Sequence, residues 1–218
     1  MNRLAVFARV PETGAVKTRL SPALPAPLAA DLYGAMLADT LAAGQQCAVD
    51  ERSVWWADAL PPAGLADGWL PRQQGEGDLG ARLESAFAAL LADERDRALV
   101  IGSDAPAIEA AHLDRAFEAL EKADVVLGPA SDGGYWLIGM GRPHPALLAG
   151  IPWSTERVLE ATLERARNAK LRVAHVAPLD DVDTPADVAR LVGAYARPGS
   201  RACGTHVRDA LRRMGLLP

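Results

Sequence analysis

The sequence predicts an α/β domain, a mostly parallel sheet with helices on both faces and one antiparallel element inserted. Three observations lead there. Short apolar runs alternate with longer amphipathic segments through most of the chain, the pattern of strand-helix-strand units. The run Ala98-Leu99-Val100-Ile101-Gly102 is continuously apolar, as expected of a strand covered on both faces. In "GPASDGGYWLIG", Asp132-Gly133-Gly134 supplies turn chemistry between two apolar runs, with no room for a helix.

In chain order, Arg3 to Ala8 reads as the first strand. From Pro25 to about Gln46, Leu28, Leu32, Ala35, Met36 and Leu41 recur at helical spacing. Ser53 to Ala57, carrying Val54-Trp55-Trp56, is a second strand and Gly68 to Gln73 a weaker third. Leu79 to Leu91 is a helix with Leu83, Phe87, Leu90 and Leu91 on one stripe. The strand at 98–102 follows, then a helix from Ala110 to Lys122 and strands at Asp124 to Leu127 and Tyr135 to Ile138. Thr155 to Asn168 is helical, Leu171 to Val176 a strand, and Pro185 to Tyr195 a helix. After Arg197, "RPGSRACGT" reads as a linker before a basic helix, Val207 to Met214. One domain therefore spans 1–197, and 198–218 form a linker and helix extension. Trp55, Trp56 and Trp69 are expected in the core.

Composition narrows the function classes. With 218 residues, 50% of them apolar, the chain suits one large α/β domain and is short for two. A formal net charge of −5 argues against nucleic-acid binding, which needs a positive face. A few placed cations still suffice for a small anionic ligand. Cys47 and Cys203 are too few for a disulfide framework and show no metal-ligand spacing. No apolar run approaches the ~18 residues of a membrane span, and the first is too short for a signal-peptide core. The expectation is a cytoplasmic protein in a reducing compartment, with no membrane partner.

Four loops carry unusual residues, and in open α/β sheets ligands bind at the carboxyl ends of strands. "VPETGAVKTRLSP" follows the first strand: Gly14 lets the backbone turn, Lys17 offers a point charge, and Arg19 a planar fork for two phosphate oxygens. The start of the next helix is expected to add unpaired N–H groups. Val16 stands where a Walker A loop needs glycine. In "QQGEGDLGARL", Gly75, Gly77 and Gly80 match G-x-G-x-x-G, but Glu76 and Asp78 would oppose a pyrophosphate by on the order of a few kcal/mol each. Gln73 and Gln74 there suit a nucleobase edge instead. Asp104, just past the fourth strand in "LVIGSDAPAI", is placed either to hold Mg²⁺ (or Mn²⁺) against a phosphate or to cap a helix near Ile108. In "PLDDVDTPADVARL", capping explains Thr184, Pro185 and Asp187. It leaves Asp180, Asp181 and Asp183 crowded at a strand end, and Asp183 is the second candidate metal ligand. Trp153 in "IPWSTE" reads as a core anchor or a sugar-stacking platform. The four histidines match no ligand spacing.

Taken together, "FARVPETGAVKTRLSP", "QGEGDLGARL", "GSDAPAI", "LGPASDGGYWLIGM", "IPWSTE" and "DVDTPADVARL" resemble the GT-A-type nucleotide-diphospho-sugar transferase superfamily, and within it the DUF2064 family of glycosyltransferases. The resemblance covers about residues 3 to 195. It implies a Rossmann-like three-layer α/β/α sandwich that binds a nucleotide in its N-terminal half, with a divalent cation on Asp104. The opening loop also resembles the phosphate loop of nucleotidyltransferases, notably guanylyltransferases that activate phospholactate. Two departures stand out: no D-x-D follows the fourth strand, and "SDGGYWLIG" replaces the acceptor strand of the guanylyltransferases.

The sequence reading is thus a Mg²⁺-dependent transferase acting on a nucleotide or nucleotide-sugar and a small acceptor. Lys17 and Arg19 take the phosphates with Gly14, while Gln74, Gly77 and Gly80 serve the nucleotide. Asp104 and Asp183 hold the metal. Asp132, Gly133, Gly134 and Trp153 face the donor sugar or acceptor. Glycosyl transfer comes first; nucleotidyl transfer with release of pyrophosphate is the alternative, and a silent nucleotide-binding protein the second. A homodimer through the last helix is left open.

Overall fold

A computed structural model of the chain describes residues 1–21, 23–57, 60–61, 64–197 and 204–218. The linker expected after Arg197 lies, over 198–203 and with it Cys203, outside the described residues. Seven strands form one sheet: β1 (Asn2–Ala8), β2 (Glu51–Trp56), β3 (Leu70–Gln73), β4 (Arg97–Ile101), β5 (Val125–Pro129), β6 (Tyr135–Met140) and β7 (Val173–His175). Their order is β3-β2-β1-β4-β6-β5-β7. All neighbours run parallel except β6, which is antiparallel to both β4 and β5. The expected inserted element is therefore β6, sent back by the Asp132-Gly133-Gly134 turn.

That turn is fixed by packing as well as by propensity. Asp132 Oδ1 accepts the Gly134 N–H at 2.8 Å, and Gly133 has φ +89° with its missing Cβ directed at the Glu156 carbonyl. A side chain there would strain the backbone and strike the neighbouring chain.

Helices α1 (Ala26–Gln46) and α3 (Ala110–Ala119) cover one face of the sheet, and α2 (Leu79–Leu90), α4 (Pro145–Leu148) and α5 (Val158–Asn168) the other. The alternating runs of the sequence thus become two apolar cores, one on each face. Trp55, Trp56 and Trp69 are buried in them, as expected. A third core joins the far side of α1 to α6 (Pro185–Ala196) and α7 (Thr205–Arg213). Apolar residues therefore surround much of α1, with Leu32 and Met36 on one side and Leu37 and Leu41 on another. Burying each such side chain contributes roughly 1.5–3 kcal/mol.

The last helix packs on its own chain. Its first-turn amides, His206 N and Val207 N, donate to the buried Asp39 carboxylate of α1 at 3.0 and 2.9 Å. Asp39 so caps α7 from a distance and satisfies two of its orphan donors. The short α4 has no counterpart in the sequence reading: four residues carry too little periodicity to signal a helix. No helix among the described residues is long and apolar enough to cross a membrane.

Candidate functional site

Strand order reverses between the parallel neighbours β1 and β4: β2 and β3 lie beyond β1, and β6, β5 and β7 lie beyond β4. A crevice opens there at the strand carboxyl ends. Its walls are the loop after β1, the segment Gly102-Ser103-Asp104 after β4, and Asp183 from the approach to α6.

The loop after β1 is held by apolar plugs rather than by a long helix. Val16 is 5% exposed and Leu20 fully buried, both in the third core beside Val182 and Val188. Between them Lys17 takes the left-handed conformation (φ 50°, ψ 36°) and opens a single 3-10 turn, Thr18–Leu20. α1 begins at Ala26, one residue from the start read in the sequence, but no residue of its first turn lines the crevice, so the amides expected there are not beside Lys17. The free amides of its first turn lie beyond a five-residue connection that Pro25 terminates. Pro25 precedes the helix and Pro27 lies inside its first turn, so helical backbone starts no earlier.

Because Val16 and Leu20 share a core with Val182, Lys17 is brought to Asp183. Lys17 Nζ lies 3.0 Å from Asp104 Oδ2 and 2.5 Å from Asp183 Oδ1, and its side chain is 7% exposed. Burial pulls the pKa of this ammonium down, but Asp104 and then Asp183 outweigh it, leaving it above the usual lysine value. The two acidic loops are also tied by backbone: Val182 N donates to Asp104 O at 3.1 Å. Asp187 Oδ2 accepts from Asp183 N and Thr184 N, at 3.0 and 2.7 Å, while Thr184 caps α6. Asp104 caps no helix, since α3 starts at Ala110 with Glu109 before it. Arg19 stands 75% exposed, with Nη1 3.8 Å from Asp183 Oδ2.

Two clefts meet along these carboxylates. The first, about 400 Å³, is lined by Arg9, Lys17, Arg19, Gln74 and Arg82, with Phe7, Ala8 and Tyr33 as its apolar side. Gln74 is fixed by Nε2 donating to Trp55 O at 2.8 Å, and Arg82 by Nε donating to Gly77 O at 3.0 Å. Tyr33 Oη accepts the Arg9 N–H at 2.9 Å and shares a 2.8 Å bond with Ser103 Oγ. The second cleft, about 690 Å³, is lined by Asp132, Trp153, Glu156, Asp181 and Asp187, and shares Arg19, Asp104 and Asp183 with the first. Burial, with Asp132, Asp104 and Asp183 nearby, pushes the Asp181 carboxyl up to about 6. Arg190 is answered by Asp187 Oδ1 at 2.8 Å.

Lys17, Arg19, Gln74, Asp104 and Asp183 are thus brought together, and Asp132, Gly134 and Trp153 line the second cleft. Gly14, Gly77 and Gly80 line neither. Gly80 instead admits close packing: a Cβ there would come within 2.7 Å of both the Leu148 carbonyl and the Trp153 indole nitrogen. Gly133 serves the turn beneath the cleft. Arg9, Tyr33, Ser103 and Arg82 were not singled out from sequence, and Asp181 was named only within the acidic cluster, with no role of its own. Asp181 had a signal, since the buried Val182 separates it from Asp183 within one acidic run. Tyr33 had none, being one apolar position of a long helix.

Among the described residues, no group of three or more His, Cys, Asp or Glu side chains could hold a metal ion. Two carboxylates nevertheless converge on one cation, the Lys17 ammonium. Magnesium and manganese sites beside phosphate need only one or two carboxylates, so this donor pair fits such an ion.

Fold and crevice together define a GT-A-type α/β/α protein of the nucleotide-diphospho-sugar transferase kind. The chain belongs to the DUF2064 family, described as an uncharacterized protein conserved in bacteria, whose model matches residues 38–155. It is 30% identical over 205 residues to 2-phospho-L-lactate guanylyltransferase of Methanothermobacter thermautotrophicus, covering 91% of this chain and 85% of that one. A crystal structure from Desulfovibrio desulfuricans G20, provisionally named a nucleotide-diphospho-sugar transferase, is 30% identical with a TM-score of 0.88, covering 99% and 96% of the two chains. Rv0371c of Mycobacterium tuberculosis H37Rv, solved in complex with manganese, shares the fold at 20% identity and a TM-score of 0.53, covering 87% and 96%.

Proposed function

We propose that the protein is a divalent-cation-dependent transferase that passes a group from a nucleotide-activated donor in the first cleft to an acceptor in the second. One observation carries this reading: a cleft rich in cations and a cleft rich in carboxylates share Asp104, Asp183 and Arg19. Arg19 and Lys17 bind the donor phosphates, and Gln74 and Arg82 face the base. Asp104 and Asp183 would hold Mg²⁺ or Mn²⁺. When bound, such an ion neutralises charge building on the leaving diphosphate.

Within that class, the first reading is glycosyl transfer from a nucleotide-diphospho-sugar. An acceptor hydroxyl oxygen attacks the sugar's anomeric carbon, the bond to the diphosphate breaks, and the nucleoside diphosphate leaves. The acidic second cleft supports this choice. Asp132, Asp181 and Glu156 accept hydrogen bonds from hydroxyls and repel a phosphorylated acceptor, and Trp153 offers an apolar wall. The similar Desulfovibrio structure agrees by name. The second reading, nucleotidyl transfer, is supported by the guanylyltransferase relative. An acceptor oxygen would then attack the α-phosphorus and pyrophosphate would leave.

The experiment incubates the protein with nucleoside triphosphates and nucleotide sugars, a panel of sugar and phospho-acid acceptors, and Mg²⁺, and follows phosphorus NMR. Nucleoside diphosphate release supports glycosyl transfer, and pyrophosphate release supports nucleotidyl transfer. Binding without either product under every pair would make the chain a nucleotide-binding protein without turnover.

A further inference from the structure

We propose that Lys17 and the divalent cation exchange places on Asp104 and Asp183, so that the cation frees the lysine for the donor phosphates and the two bind cooperatively. This rests on the reading of Asp104 and Asp183 as the metal ligands. The lysine expected to meet phosphate is instead spent on carboxylates: its ammonium touches both, and almost none of the side chain is exposed. Its backbone holds a left-handed conformation uncommon for a residue with a Cβ. Arg19, two residues on, is open to solvent and needs no such release.

Charge gives the exchange its consequence. Asp104, Asp183 and Lys17 together carry one negative charge, which disfavours a diphosphate at the seam of the clefts. With a divalent cation on the two carboxylates, the same group carries one positive charge and Lys17 is free to turn. The anchors Val16 and Leu20 on either side stay buried, so the motion is confined to Lys17 and its neighbours. By linkage, the cation strengthens phosphate binding by the factor that phosphate strengthens cation binding.

Direct metal–phosphate contact would also make the two cooperative, so the test reads Lys17 with no phosphate present. The chain has three lysines, Lys17, Lys122 and Lys170, and the last two are exposed and serve as internal controls. Reductive methylation of the native protein, read by mass spectrometry, should spare Lys17 without metal and modify it once Mg²⁺ alone is added. Unchanged protection of Lys17 at Mg²⁺ concentrations shown by calorimetry to saturate the site overturns the exchange. In parallel, Lys17→Met should bind Mn²⁺ alone at least ~5-fold more tightly than the native chain, by electron paramagnetic resonance of the free ion. Equal or weaker Mn²⁺ binding by a folded Lys17→Met also overturns it. Asp104→Asn and Asp183→Asn separate the two ideas. Native Mn²⁺ affinity in both would remove the metal reading itself, whereas their loss of Mn²⁺ together with an unmoved Lys17 would remove only the exchange.

Discussion

The two clefts are built from the same strand ends and carry opposite charge. In the first, Arg9, Lys17, Arg19 and Arg82 come from the loop after β1 and from α2. In the second, Asp132 comes from the β5–β6 turn, Glu156 and Asp181 from the approaches to α5 and α6, and Asp187 from the first turn of α6. Cations gather where the chain leaves the parallel half of the sheet, and carboxylates gather around the antiparallel insertion. The difference teaches that one edge of the sheet can carry opposite charge on the two sides of Asp104 and Asp183; on the reading proposed above, these sides take the donor phosphates and the acceptor.

The largest expected effect lies at that seam. Asp104→Asn keeps the shape and removes a charge that lines both clefts, so turnover should fall by roughly 10²–10³, the size of effect seen when one preorganised electrostatic group is removed from an active site. The metal-free protein should also melt lower, because the buried Lys17 ammonium loses a partner. A variant with native turnover would dissolve the seam. Next comes Arg19→Ala. A charge-assisted phosphate contact is worth roughly 1.5–3 kcal/mol, so GDP or UDP should bind about 10–150-fold more weakly by calorimetry, with an unchanged melting temperature. Unchanged affinity would take Arg19 out of the first cleft's work.

A smaller effect sharpens the contrast. Asp132→Asn lies on the second side only, so the GDP dissociation constant should stay within about twofold of native while transfer slows by roughly 3–10-fold, the worth of one hydrogen bond. A fall in GDP affinity like that of Arg19→Ala would merge the two clefts into one site. The smallest effect belongs to neither cleft. Burial, with Asp114 beside it, pushes the Cys47 thiol up to about 12 from 9.0. The native chain keeps a proton that the unfolded chain gives up, so this group's contribution to stability is full below about pH 9 and declines toward pH 12. In a Cys203→Ser background, Cys47 should resist iodoacetamide at pH 8.5 until urea unfolds the chain. Rapid alkylation of the folded protein would contradict the burial.

Much of this was legible locally. Thr184-Pro185 with Asp187 three residues on specifies a capped helix start by side-chain hydrogen bonding and a preset φ, and α6 begins at Pro185. Asp132-Gly133-Gly134 specifies a reversal because only small or self-bonding residues accept it, and β5 and β6 pair antiparallel across it. The apolar run at 98–102 specifies a strand covered on both sides, and β4 lies at the middle of the sheet. Lys17, Arg19, Asp104 and Asp183 stood out because charges at strand ends are costly without a partner or a ligand. Each of these inferences uses interactions within a few residues, which sequence spacing reports.

Other decisions needed the whole chain. Lys17 meets Asp104 and Asp183 across 87 and 166 residues of sequence, because Val16, Leu20 and Val182 bury in a common core. Gly80 matched a phosphate fingerprint, yet Trp153 and Leu148 occupy the space a side chain would need. Tyr33 came to bond Arg9 N and Ser103 Oγ, and Asp39 to cap α7, only when α1 was set between the sheet and the last two helices. Spacing along the chain records which residues a helix or turn prefers; it does not record which distant apolar groups will exclude water together. That exclusion set the partners of the charged groups here, and with them the opposite characters of the two clefts.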